Sequence, residues 1–175
     1  MNKALIVSVI GPDRPGLVEQ LSQVVTAMGG NWEGSRLVQL GGQFAGMVRV
    51  VIDEEKEEQL HRDLDGLKVS GLTISVIHAG DSGEAGEASG EPYELEVVGQ
   101  DRSGIVAAIA KELASDQVNV IELATDCRPA PWSGETHFHT TAKIAIPSGL
   151  EVDTLRQRIE SIAGDLMVEI TPTDS

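Results

Sequence analysis

Apolar positions along the chain alternate between two periods, and the alternation happens twice. Ala4 to Ile10 is an almost unbroken run rich in valine and isoleucine, which predicts a buried strand. The period then lengthens: Leu17, Leu21, Val24 or Val25, and Met28 fall on one helical face, with Pro15 suited to the first helical turn and Gly29 and Gly30 to the stop. A strand from Asn31 to about Leu40, a tight Gly41-Gly42 turn and a returning strand from Gln43 to Ile52 predict a hairpin. Asp53 to Leu67 reads as a helix with Leu60, Leu64 and Leu67 inward and its acids crowding the first turns, where the dipole favours them. Val69 to His78 closes the unit as a fourth strand.

The same order then repeats. Tyr93 to Val98 is a strand, and Ser103 to Ala114 a helix with Ile105, Ile109 and Leu113 inward. Val118 to Arg128 and Glu135 to Ile146 form a hairpin with a longer tip. Val152, Leu155, Ile159, Ile162 and Leu166 mark the last helix and Met167 to Ile170 the last strand. Between the halves lies AGDSGEAGEASGE, with nothing to bury, which predicts a flexible acidic linker over 79–91 spanning on the order of 20 Å. The expected domains are 1–78 and 92–175. Each is a ferredoxin-like split βαβ: an α+β unit of order βαββαβ, two helices on one face of a four-stranded antiparallel sheet.

The strongest repeat is a turn. GPDRPGLV at Gly11 to Val18 returns as GQDRSGIV at Gly99 to Val106; Gly16 to Gly104 and Asn31 to Asn119 both step by 88 residues. Each copy ends a strand and opens a helix, so its glycines let a ligand come close while the first N–H groups of the helix point at it. A zwitterion docked there needs donors for its carboxylate and acceptors for its ammonium. The competing reading gives glycine to the turn, aspartate to the helix cap and asparagine to local backbone.

A D-R-x-G turn opening a βαββαβ unit, with an asparagine at the start of the second strand, resembles the ACT domain, a regulatory amino-acid-binding module. With GGNWEGSRLVQLGGQFAGMV in the first half and RPAPWSG and FHTTAKIAIP in the second, the chain as a whole is similar to the tandem-ACT proteins of the glycine cleavage system transcriptional repressor family. The resemblance implies a ligand between the turn and an adjacent domain, with the asparagine helping to hold it. That points to Asp13, Arg14, Gly16, Leu17 and Asn31, and to Asp101, Arg102, Gly104, Ile105 and Asn119. The first copy is favoured, because it keeps Pro15 and Gly30 where the second has Ser103 and Val118. By the same resemblance the ligand is a small amino acid, glycine first among them.

Charge and composition narrow the function. With 13 basic and 28 acidic residues the net charge is -15, which disfavours a phosphate-neutralising surface, so transcriptional control is expected through a protein partner and not through direct nucleic-acid contact. Cys127 is the only cysteine, which excludes an internal disulfide and a thiolate zinc cluster. The N-terminal apolar run is too short for a signal segment, and no run approaches membrane-spanning length, so a cytoplasmic protein without membrane partner is expected. Phosphate-loop and dinucleotide glycine spacings are missing. His137 and His139 share a strand face, with Cys127 on the opposing strand as a third candidate metal ligand, but a solvent- or partner-facing role is the expectation. His61 and His78 read as isolated surface residues. Trp132, on the hairpin tip, reads as a docking element or as packing over the other domain.

No cofactor, no metal and no catalytic group is expected. A regulatory, amino-acid-binding homo-oligomer is the first reading. A ligand-free dimerisation or scaffold module is the second, and a relative of ACT-bearing enzymes such as formyltetrahydrofolate deformylase the third. The third is weakened because both halves are accounted for as ACT units by Ser175.

Overall fold

The structure is a computed structural model of the chain, and it describes residues 1–80, 90–129 and 134–173. It divides into two compact units, Met1–Ala85 and Gly86–Ser175. In the first, β1 (Asn2–Pro12), α1 (Leu17–Ala27), β2 (Asn31–Leu40), β3 (Gln43–Asp53), α2 (Glu57–Gly66) and β4 (Thr73–His78) follow in order. The second repeats this with β5 (Glu91–Gln100), α3 (Ile105–Ser115), β6 (Asn119–Pro129), β7 (Thr136–Ile146), α4 (Val152–Glu160) and β8 (Met167–Pro172). Both sheets have four antiparallel strands, ordered β2-β3-β1-β4 and β6-β7-β5-β8. Each unit is therefore the ferredoxin-like βαββαβ fold that its two periods predict. Most of the expected linker, 81–89, lies outside the described residues.

Period two decides the core. Leu5, Val7 and Val9 of β1 and Val48, Val50 and Ile52 of β3 point one way and are buried, against Leu17, Leu21 and Val25 of α1 and Leu60 and Leu64 of α2. The second core is built likewise from Leu95, Val97, Phe138, Ile144 and the inward stripes of α3 and α4.

Element ends differ from the sequence reading where backbone chemistry intervenes. Pro15 lies outside the first helix, which begins at Leu17 after Gly16 takes the left-handed conformation, φ 88°. Gly104 does the same ahead of Ile105, φ 83°, so the second helix starts two residues later than its pattern suggests. Neither helix has a side-chain cap. The span Asp53 to Leu67 is not one helix: Glu54–Lys56 is a 3₁₀ turn, capped by the Asp53 carboxylate, which accepts the Glu55 N–H. A second 3₁₀ turn at Leu67–Ser70 delays β4 to Thr73. In the second unit α4 stops at Glu160, and Leu166 reaches the core from the loop beyond it.

Candidate functional site

Each turn sits at the end of its sheet. Pro12 pairs with Gln43, and the Asp13 N–H donates to the Gly42 carbonyl at 3.0 Å, so the bend is tied to the tip of the β2-β3 hairpin. The second bend is anchored in the same way: Gln100 pairs with His137, and the Asp101 N–H donates to the Thr136 carbonyl at 2.9 Å. Beyond each bend the first N–H groups of α1 and α3 have no intrahelical acceptor.

The asparagines stand elsewhere. Asn31 pairs with Val51 and Asn119 with Ala145, eight positions along β3 or β7 from the residue that meets the turn. At strand rise that is roughly 26 Å, so within one unit the structure does not bring the turn and its asparagine together. A small guest cannot touch both within one unit.

Turn side chains behave differently in the two copies. The side chains of Asp13 and Arg14 are exposed and make no hydrogen bond or ion pair among the described residues. Arg102, by contrast, is held in an ion pair by Asp165 and also donates through Nε to the Gln100 carbonyl. The other Asp165 oxygen accepts the Gln100 N–H at 2.7 Å. Arg102 and that amide hold the Asp165 carboxyl below its ordinary range. Desolvation first, then the nearby Asp101 and Asp126 carboxylates, push the Cys127 thiol up, away from the thiolate that a nucleophile needs.

The candidate metal set is taken apart by strand geometry. Cys127 is opposite Phe138, whose side chain is buried under the helices, so His137 and His139 lie on the other face of the sheet. His139 hydrogen-bonds Glu96 through Nε2 at 2.7 Å, and no group able to hold a metal occurs among the described residues. His61 and His78 are not isolated. Both approach the half-buried Glu57, at 3.9 and 3.1 Å, and Lys3 reaches the same carboxylate at 3.3 Å. This cluster ties the start of β1, the start of α2 and the end of β4. Trp132 lies outside the described residues.

The sequence model of the ACT domain matches residues 3–76. A solved structure of an unknown protein from Galdieria sulphuraria is 32% identical over 99% of this chain and 100% of its own, with a TM-score of 0.86. The chain belongs to the ACT-domain family. Its second unit repeats the ACT topology strand for strand, which makes it a tandem ACT protein. A solved structure of a proposed glycine cleavage system transcriptional repressor shares the fold over 99% of each chain, with a TM-score of 0.70 at 17% identity. No curated protein matches the chain. Among the described residues no helix is long and apolar enough to cross a membrane.

Within this ACT pair, sequence reasoning missed Asp165 and its hold on the second turn. The signal was present: the halves run in step by 88 residues up to the hairpin and by 94 in the two strands after it, which sets Asp165 against Gly71 just ahead of the last strand.

Proposed function

We propose that this tandem ACT protein is a non-catalytic regulator that binds a small amino acid at its first turn and passes the binding to a partner protein that controls transcription. The observation that supports it is the open state of Asp13 and Arg14 beside the left-handed Gly16, where a carboxylate and a guanidinium stand without a side-chain partner among the described residues at the start of a helix. A zwitterion complements that arrangement: its carboxylate takes the Arg14 guanidinium and the first N–H groups of α1, and its ammonium takes Asp13. Gly16 and Leu17 supply the backbone of the cradle. The asparagine contact implied by the family resemblance then comes from another ACT unit, since Asn31 lies at the far end of its own sheet. Glycine is the first ligand to test, on the likeness to the proposed glycine cleavage repressor.

A bridging ligand shifts an equilibrium only by its difference in affinity between the states. Binding therefore has to change how units associate or how a partner is held. At the second turn Arg102 is already engaged by Asp165, so Asp101, Gly104 and Ile105 there, and Asn119 at the far end of that sheet, are the weaker ligand candidates. A ligand-free association module is the other reading, favoured by the exposed apolar residues Val38, Met47 and Ile77 on the helix-free face of the first sheet.

Thermal shift against the twenty amino acids separates the two. A true ligand at about 100 times its dissociation constant stabilises the fold by about 2.7 kcal/mol, and Arg14→Gln removes the effect while leaving the unliganded melting temperature in place. If no amino acid raises the melting temperature, the association reading stands in its place.

A further inference from the structure

The two turns differ in a concerted way. In the first half of each unit, Pro12 corresponds to Gln100 and Arg14 to Arg102. In the second half, Gly71 corresponds to Asp165 and Leu72 to Leu166. The structure supports that correspondence independently: a Cβ on Gly11 would meet Leu72 and Gly71, and one on Gly99 would meet Leu166 and Asp165. The second unit therefore has a backbone N–H, a guanidinium and a carboxylate converging. Its first-unit equivalent has a proline without an N–H, an arginine, and a glycine without a carboxylate. The arginine is common to both units, while the amide donor and the carboxylate acceptor are present together in one and missing together in the other, which is the behaviour of a seat and its occupant.

We propose that the Gln100 N–H and the Arg102 guanidinium form a carboxylate seat on the second turn, that Asp165 fills it as a tethered ligand, and that a small free monocarboxylate takes the seat once Asp165 leaves. One amide and one guanidinium on the two oxygens of a single carboxylate is a charge-assisted donor set that recognises free carboxylates equally well. Asp165 sits in the loop between α4 and β8, so its effective concentration at the seat is of millimolar order or above. Free carboxylates at lower concentration do not displace it. The loop thus acts as a built-in competitor that closes the second turn, and the same position in the first unit has none. The inference rests on the donor geometry of the second turn and stands apart from amino-acid binding at the first.

The test is a titration of full-length Asp165→Ala with sodium formate and sodium acetate, against sodium chloride at equal ionic strength. It is followed through the Gln100 amide and Arg102 Nε–H resonances and through the melting temperature. Both resonances are expected to shift saturably with either carboxylate, with half-saturation at a concentration at least about tenfold lower than in the unaltered chain, where Asp165 competes. The melting temperature rises in parallel, and Arg102→Gln in the same background abolishes both responses. A response to chloride equal to that with formate overturns the proposal, and so does the lack of any saturable shift. Should Asp165→Ala not fold, Asp165→Gly, which restores the residue that the first unit has at this place, carries the same titration with the same readings. Glycine added in parallel reports on the first turn through the Leu17 and Val18 amides, so a silent first turn and an unoccupied second seat are told apart.

Discussion

At Gly11 the backbone of β1 passes so close to the loop before β4 that a Cβ would lie 2.7 Å from a Leu72 methyl and 2.8 Å from the Gly71 carbonyl oxygen. The equivalent Cβ on Gly99 would lie 2.5 Å from a Leu166 methyl, but its other neighbours, in Asp165, stay at 3.3 Å or more. A side-chain end can swing aside, whereas a loop carbonyl cannot without moving the chain. Gly11→Ala is therefore expected to destabilise the first unit by about 1–3 kcal/mol, and Gly99→Ala the second by less, as read by denaturant unfolding. The neighbouring Asp165 gives a prediction in pH. Its carboxyl is held down chiefly by Arg102 and then by the Gln100 amide, so its folded value lies below the ordinary 3.8. A depressed folded value means stabilisation that is present above the unfolded value and lost as pH falls through the folded one. Asp165→Asn should lower the stability of the second unit at neutral pH, and the gap to the unaltered chain should close as pH falls below about 4. A gap that stays constant from about pH 7 to about pH 3 would show that the charge of Asp165 is not what matters.

Among the elements, the strands and helices were legible because burial enforces their periods. The inward stripes of all four helices, Leu17/Leu21/Val25, Leu60/Leu64, Ile105/Ile109/Leu113 and Leu155/Ile159, are the ones the apolar spacing marks. Their boundaries were less legible, since Gly16 and Gly104 rather than a proline or a serine set where the helices begin, a choice made by φ and not by hydrophobicity. Site contacts were the least legible of all. Arg102 and Asp165 are 63 residues apart, and only the sheet brings them together. Equivalent elements of the two units also differ in packing. Position 48 of β3 is a buried valine, while its counterpart in β7 is Ala142; Trp32 of β2 likewise becomes Val120 in β6. Beside Ala142 and Val120 the second unit keeps an apolar cavity of about 40 Å³ bordered by Leu95, Ile109, Leu123 and Phe138. Filling it with the first unit's residue, Ala142→Val, should raise the stability of the second unit by up to about 1 kcal/mol. A loss of stability instead would mean that the cavity lies out of reach of the added methyls.

For the whole molecule the governing quantity is charge. A net charge of -15 on 175 residues sets up a repulsive field around any polyanion, whereas binding to duplex DNA draws on several lysine or arginine contacts with phosphates. The basic side chains that the chain does have are largely committed. Lys3 is shared by Glu54 and Glu57, Arg49 pairs with Glu33, Arg102 with Asp165, and Arg156 with Asp153 and Glu160. Arg14 is the exception that matters for the amino-acid reading, and a single guanidinium beside Asp13 does not make a phosphate surface. On the proposed function, an effect on transcription travels through association with a protein that contacts the DNA, and an amino acid at the first turn acts by altering that association. In a mobility-shift experiment at physiological salt, the purified protein alone should leave promoter DNA unshifted with or without glycine. Adding the protein that co-purifies with it from the native host should give a shift whose midpoint moves with glycine, and Arg14→Gln should hold that midpoint still. A salt-sensitive shift by the protein alone would place the nucleic-acid contact on this chain and remove the need for a partner.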